Sequence, residues 1–355
     1  MARRNGKKKK DIVVEQEQAA VEPTPAMTAA AGALAGVVAR FVVGPLDVLK
    51  IRFQVQLEPI GRGGLPSKYT SMRQALVTIV KEEGVKGLWR GTVPGQLLTV
   101  PYTAVQFVAL QQCRHLAQQY GVQDKPHLRT AMPFLSGAVA GAAATIASYP
   151  FDLLRTTLAA QGEPAVYRSM TEAARGIVKQ NGVRGLYRGL GVTVLEIMPY
   201  AALQFGLFDA FNKACDRARA RMDPARADDP ASGLQIFACG LAAGMLAKLA
   251  THPLDVAKKR FQVAGLQRSV SYGQRVTPEA VRTLKQVVHD IAVKEGLPGL
   301  FKGAMPSIIK AAPSAAVTFA AYDWFLYHLP RLLNHNAAAA ADGNGSSSAS
   351  QRPLH

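Results

Sequence analysis

Three times along the chain an acid and a base stand three residues apart, just after a proline. They are Asp47 and Lys50 in "PLDVLKIRFQ", Asp152 and Arg155 in "PFDLLRTTLA", and Asp255 and Lys258 in "PLDVAKKRFQ". On a helix, residues at this spacing share a face. Such groups could exchange protons, hold an anion, or hold one another. Their surroundings narrow the choice, because the preceding "MTAAAGALAGVVARFVVG" is apolar and small-residue-rich. A lone charge at bilayer depth is costly, so each must face a partner or a cavity. An enzyme would need a nucleophile, a metal cluster or an acid–base pair, and none is found. Cys113, Cys215 and Cys239 have no metal-ligand spacing, and their odd number does not suggest a disulfide framework. They are expected to pack.

The elements that position these charges are repeated. The motif prolines, Pro45, Pro150 and Pro253, lie 105 and 103 residues apart. Glycine pairs precede them: Gly32 and Gly36, Gly137 and Gly141, Gly240 and Gly244. "EGVKGLWRG", "NGVRGLYRG" and "EGLPGLFKG" follow them, and then Pro101, Pro199 and Pro313 at one fixed offset. Repeats of this kind dictate the architecture. Breakers and charges predict odd helices over 27–56, 131–161 and 234–264 and even helices over 90–119, 188–218 and 302–333. Amphipathic stretches are expected near 70–83, 168–181 and 278–295. The glycine pairs are expected to let helix backbones approach closely. The fold class is therefore an all-α membrane protein of three tandem repeats, six long helices and three short ones. The repeats divide at 27–125, 126–230 and 231–333, between a basic N-terminus (1–26) and a low-complexity tail (334–355), both expected to be disordered. No cleavable signal is read at the N-terminus, where a polar stretch follows "MARRNGKKKKD".

A net charge of +18 over 355 residues would suit nucleic acid in a soluble protein. It does not account for paired apolar segments in every repeat. It does suit a protein that handles anions among anionic lipids.

The repeated P-x-[DE]-x-x-[KR]-x-[KR] and [DE]-G-x4-[WYF]-[KR]-G motifs resemble those of the mitochondrial carrier family over residues 27–333. The second repeat departs from them at Thr157 and Asn181. The resemblance implies a threefold six-helix barrel in the mitochondrial inner membrane, monomeric, with termini toward the intermembrane space. It further implies a matrix gate in which Asp47 pairs with Arg155, Asp152 with Lys258, and Asp255 with Lys50, braced by Gln54 and Gln262. Static interhelical bridges are the plainer alternative. A weaker cytoplasmic gate is implied at Gln111, Arg114, Asp209, Asn212 and Asp323. The "WRG", "YRG" and "FKG" turns are expected to hold cardiolipin at helix N-termini.

A transported molecule lacks threefold symmetry, so residues that break the repeat inside the cavity are the substrate candidates. Arg40 and Lys248 stand five positions before odd-helix prolines, and Glu196 and Lys310 three before even-helix ones. Three bases, taken as unpaired, suit a di- or triphosphate. One acid suits a cationic or amino-bearing ring, with Gln106, Ile197 and Tyr200 beside it. Snorkelling to an interface is the alternative for Arg40 and Lys248. The stretches "KIRFQ", "PGQLLTVPYTAVQF", "AAQGEPAVY", "MPYAALQF" and "KKRFQVAGL" resemble those of carriers of thiamine pyrophosphate. That resemblance implies this compound as substrate, exchanged for nucleotides. Coenzyme A or an adenine nucleotide remains the alternative. No metal, cofactor or nucleic-acid partner is expected.

Overall fold

A computed structural model describes residues 24–58, 67–119, 126–222, 231–266, 275–278 and 283–345. Most of the basic N-terminus and the end of the low-complexity tail lie outside these. The chain falls into two compact units, Met1–Val42 with Ser314–His355, and Val43–Pro313. Among the described residues every regular element is helical.

The odd helices are α1 (Pro25–Val55), α5 (Pro126–Ala160) and the pair α8 (Gly233–Ala250) and α9 (His252–Val263). The even ones are α3 (Thr92–Leu97) with α4 (Thr99–Gln119), α7 (Leu190–Met222), and α11 (Ala304–Ile309) with α12 (Ala311–Gly345). Three helices expected to be continuous are thus divided, at Leu98, Thr251 and Lys310. Each division falls two or three residues before a proline, which lacks an N–H and clashes with the carbonyl four residues back. The last helix runs on past the expected limit at 333, through Ala337–Ala341 to Gly345, as five strong helix formers would favour.

The short helices are α2 (Met72–Glu83), α6 (Met170–Asn181) and α10 (Leu284–Lys294). Ser71, Ser169 and Thr283 accept the N3 backbone N–H of each, from Gln74, Glu172 and Gln286, which satisfies an otherwise orphaned donor. The third helix was expected from 278 and starts at 284, behind its Thr283 cap.

Three described stretches are long and apolar enough to cross a membrane: Met27–Val55, Val183–Met222 and Gly233–Ala250. Helices α4, α5 and α12, of 21, 35 and 35 residues, also reach the ~20 residues a bilayer core requires. Phe107, Phe205 and Phe319, equivalent in the three repeats, are each more than 60% exposed. Large aromatics so exposed at one repeated position fit lipid better than water.

The seam of small residues lies one position away from the glycines. Ala31, Ala35 and Ala39 are buried in one unit; Ser136, Ala140 and Ala144, and Cys239, Ala243 and Ala247, are buried in the other. A Cβ at Gly36, Gly137, Gly141 or Gly244 would meet nothing within 4 Å. The close-packing surface is therefore the alanine stripe, and those four glycines face open space. Glycine is required elsewhere, where α3 and α11 begin. Gly91 and Gly303 have φ of 82° and 79°, and a Cβ would lie 2.5 Å from the Arg155 carbonyl oxygen and 2.8 Å from that of Lys50.

Candidate functional site

The three acid–base pairs meet within the larger unit. Arg155 Nη2 lies 2.5 Å from Asp47, Lys258 Nζ 3.0 Å from Asp152, and Lys50 Nζ 2.7 Å from Asp255. Each acid reaches a base from a different repeat, so the ring ties all three odd helices. Gln54 donates to Asp255 at 3.2 Å and Gln262 to Asp152 at 2.9 Å. Lys259 adds a third cation at Asp152, 3.6 Å away, while donating to Thr156 and Gln262 at 2.7 and 2.8 Å.

Two substrate candidates are part of this ring. Lys310 Nζ donates to the second oxygen of Asp47 at 2.6 Å. Lys248 Nζ lies 2.9 Å from Glu196 and 3.2 Å from Asp255, bridging the two acids. The sequence reading took these bases as unpaired, and the structure corrects it. A cation beside two carboxylates is drawn to both, and separation along the chain concealed how close they lie. Glu196 is 8% exposed, so a cationic partner offsets its desolvation. Tyr200 completes the cluster with its ring centroid 5.8 Å from the Lys248 ammonium. Ile197 and Gln106 are half-buried on α7 and α4. Arg40 lies half-buried on α1 within the smaller unit. It engages a partner of its own, so it too is not a free cation.

A second set of ion pairs supports the ring. Arg52 makes a two-pronged contact with Glu83, and Arg260 does so with Glu295 at 2.5 and 2.8 Å; all four side chains are buried. Parallel N–H···O contacts of this kind are strong and directional. The second repeat has lost both partners together, with Thr157 and Asn181 in their places. Removing only one would leave a buried charge uncompensated.

The bases of the "WRG", "YRG" and "FKG" turns point to helix ends of the neighbouring repeat. Arg90 donates to the Gly162 carbonyl at 3.2 Å, and Arg188 donates to that of Ala264. Lys302 donates to the Gln56 and Glu58 carbonyls, each at 2.8 Å. Cations suit the negative ends of helices. Arg90 also holds the Glu163 carboxyl below the ordinary carboxylate range through a direct hydrogen bond. Sequence reasoning gave these bases no part in joining repeats; their recurrence before glycine was the available signal.

Beside the same turns lie two cavities. One, of about 620 Å³, is lined by Gly91, Val93 and Pro94 and by Ser169 and Met170. The other, of about 310 Å³, is lined by Gly303, Met305 and Pro306 and by Ser71 and Met72.

Among the described residues of the larger unit, those expected at the opposite gate form no ring like that of the odd helices. Asp209 pairs with Lys213 on its own helix at 2.6 Å. The buried Asn212 Oδ1 has no hydrogen-bond partner. Gln111 and Arg114 are exposed, and so is Asp323 in the smaller unit.

Apolar helical repeats joined by a ring of ion pairs at repeated offsets have the layout of a membrane carrier. The family described as "Mitochondrial carrier protein" matches residues 21–121, 126–218 and 229–332, and the chain belongs to the mitochondrial carrier family. It is similar to mitochondrial thiamine diphosphate carrier 2 of Zea mays, 48% identical over 83% of this chain and 91% of that one. Mitochondrial thiamine diphosphate carrier 1 of Arabidopsis thaliana is 47% identical over 84% and 93%. The human mitochondrial thiamine pyrophosphate carrier is 36% identical over 85% and 92%.

Proposed function

We propose that the protein imports thiamine pyrophosphate across the mitochondrial inner membrane by alternating access, in exchange for nucleotides. The three repeats supply six spans, with both termini in the intermembrane space. The Asp47–Arg155, Asp152–Lys258 and Asp255–Lys50 ring is the matrix gate. The arrangement described above is the state open to the intermembrane space, with the weaker gate near Asp209 and Asn212 apart.

The observation that carries this reading is the sharing of Lys248 and Lys310 between substrate positions and gate acids. A diphosphate offers several acceptors for charge-assisted hydrogen bonds. As it engages these lysines, it weakens their hold on Asp255 and Asp47 and so loosens the ring. The thiazolium and aminopyrimidine take the place of Lys248 at Glu196, beside Tyr200, Ile197 and Gln106. A ligand drives a conformational equilibrium only through such differential contacts.

The two cavities at helix N-termini fit cardiolipin phosphates. Backbone N–H groups at the starts of the even and short helices supply the donors, since Lys302 and Arg188 are engaged with carbonyls. Added cardiolipin should raise the thermal unfolding midpoint of the delipidated protein; an unchanged midpoint contradicts lipid binding there.

Substrate choice is tested with purified protein in liposomes loaded with nucleotide. Uptake of thiamine pyrophosphate should exceed that of coenzyme A and ADP by at least tenfold. Faster uptake of either competitor overturns the assignment.

A further inference from the structure

The sequence reading assigned the cysteines to packing, yet two of them form a site. Cys215 on α7 and Cys239 on α8 come from different repeats and bring their sulfurs to 3.8 Å. Both are free thiols; Cys239 is buried and Cys215 is exposed. A disulfide needs an S–S distance of about 2.05 Å, so the two sulfurs must approach by a further ~1.8 Å.

The repeat shows that packing does not require two thiols here. Cys239 occupies the seam position held by Ala31 and Ser136 in the other repeats, and the equivalents of Cys215 are Ala117 and Leu329. Sulfur is thus placed on both sides of one seam only. A polar cluster lies one helical turn beyond the pair. Arg219, four residues after Cys215, donates to Asp216 at 3.0 Å and also to Gln235. Gln235, four residues before Cys239, donates to Asp216 at 2.9 Å. Charged and amide groups so placed mark a watered helix end, where a small oxidant can reach the exposed thiol.

We propose that Cys215 and Cys239 form a reversible disulfide that staples the second repeat's even helix to the third repeat's odd helix and arrests transport. The oxidant is a small-molecule disulfide. The Cys215 thiolate attacks one of its sulfurs and expels one thiolate. Cys239 then loses its proton and attacks the Cys215 sulfur, and the second thiolate leaves. Two protein thiols are oxidised, one external disulfide is reduced to two thiols, and the two protein protons end on the released thiols. More than three helical turns of α8 and the division at Thr251 separate Cys239 from Asp255, so the staple acts on helix movement and not on substrate contacts.

Full-length purified protein is treated with oxidised glutathione and mapped without reduction. A linked 215–239 peptide pair, lighter by two hydrogens than the free peptides together, is expected. The unfolding midpoint should rise, because a cross-link constrains the unfolded chain. Reconstituted uptake should fall at least tenfold and recover with dithiothreitol. Cys239→Ser should transport normally and ignore the oxidant, whereas Cys113→Ser should stay sensitive. Glutathione adducts without the cross-link, or cross-linked protein that transports as fast as reduced protein, would overturn the proposal. Reduced protein that takes up no thiamine pyrophosphate would count against the substrate assignment alone, since the peptide map and midpoint still decide the disulfide.

Discussion

Glu196→Gln separates the two ends of the proposed substrate. Glu196 is the one acid at the substrate positions, and it holds Lys248 at 2.9 Å. At an effective dielectric of ~20, a unit-charge pair at that distance attracts by about 6 kcal/mol before desolvation is counted. Desolvation cancels most of this, and a charge-assisted hydrogen bond nets about 1.5–3 kcal/mol. Thiamine pyrophosphate should therefore bind roughly 10–150-fold more weakly to the variant, since its cationic ring loses the carboxylate. A nucleoside diphosphate should bind as well or better, because the neutral amide no longer repels phosphate and competes less for Lys248. Lys248 keeps Asp255 at 3.2 Å, so the local structure retains a charged partner. The assay is inhibition of labelled thiamine pyrophosphate uptake by each compound, on wild type and variant liposomes. Equal losses for both compounds would refute the separation of ring and phosphate ends.

Arg260→Met leaves Glu295 with Lys302 as its only described basic neighbour within ion-pair distance, and should destabilise by about 1.5–3 kcal/mol, read as a lower unfolding midpoint. Arg260→Thr with Glu295→Asn, which copies the second repeat, should lose less. Ala140→Leu overfills a fully buried seam position and should cost about 1–3 kcal/mol. Gly141→Ala, one residue on and with open space before it, should be neutral or stabilising by about 0.4–1 kcal/mol. Midpoints measured side by side distinguish the two; the reverse order would return the packing face to the glycines.

Paired charges were legible because charge in an apolar context must find charge; which base each acid takes came from the resemblance to the carrier family. The braces followed from their position one helical turn beyond Lys50 and Lys258. Lys248 and Lys310 were misread as unpaired for the same reason that they were noticed. They break the repeat, so no symmetry mate indicated a partner. Asp47 and Asp255 already had one base each, and one base does not exhaust a carboxylate with two oxygens. The packing face was missed by one residue, because glycines and alanines recur together every four positions and small size alone does not say which row is buried. The helix divisions at Leu98, Thr251 and Lys310 were foreshadowed by proline, although α1, α5 and α7 run through Pro45, Pro150 and Pro199 unbroken. Local sequence offers no rule that separates these cases.

The central claim is that the ring pairs are a working gate and not fixed bridges. Initial uptake of thiamine pyrophosphate by a charge exchange across one pair tests it most directly. Lys258→Glu places two acids together beside Lys259 and should reduce uptake by more than a hundredfold while the protein still inserts. Adding Asp152→Lys restores opposite charges in reversed order and should recover at least a tenth of the wild-type rate. Normal uptake by the single variant, or a double variant no faster than the single one, would contradict the gate.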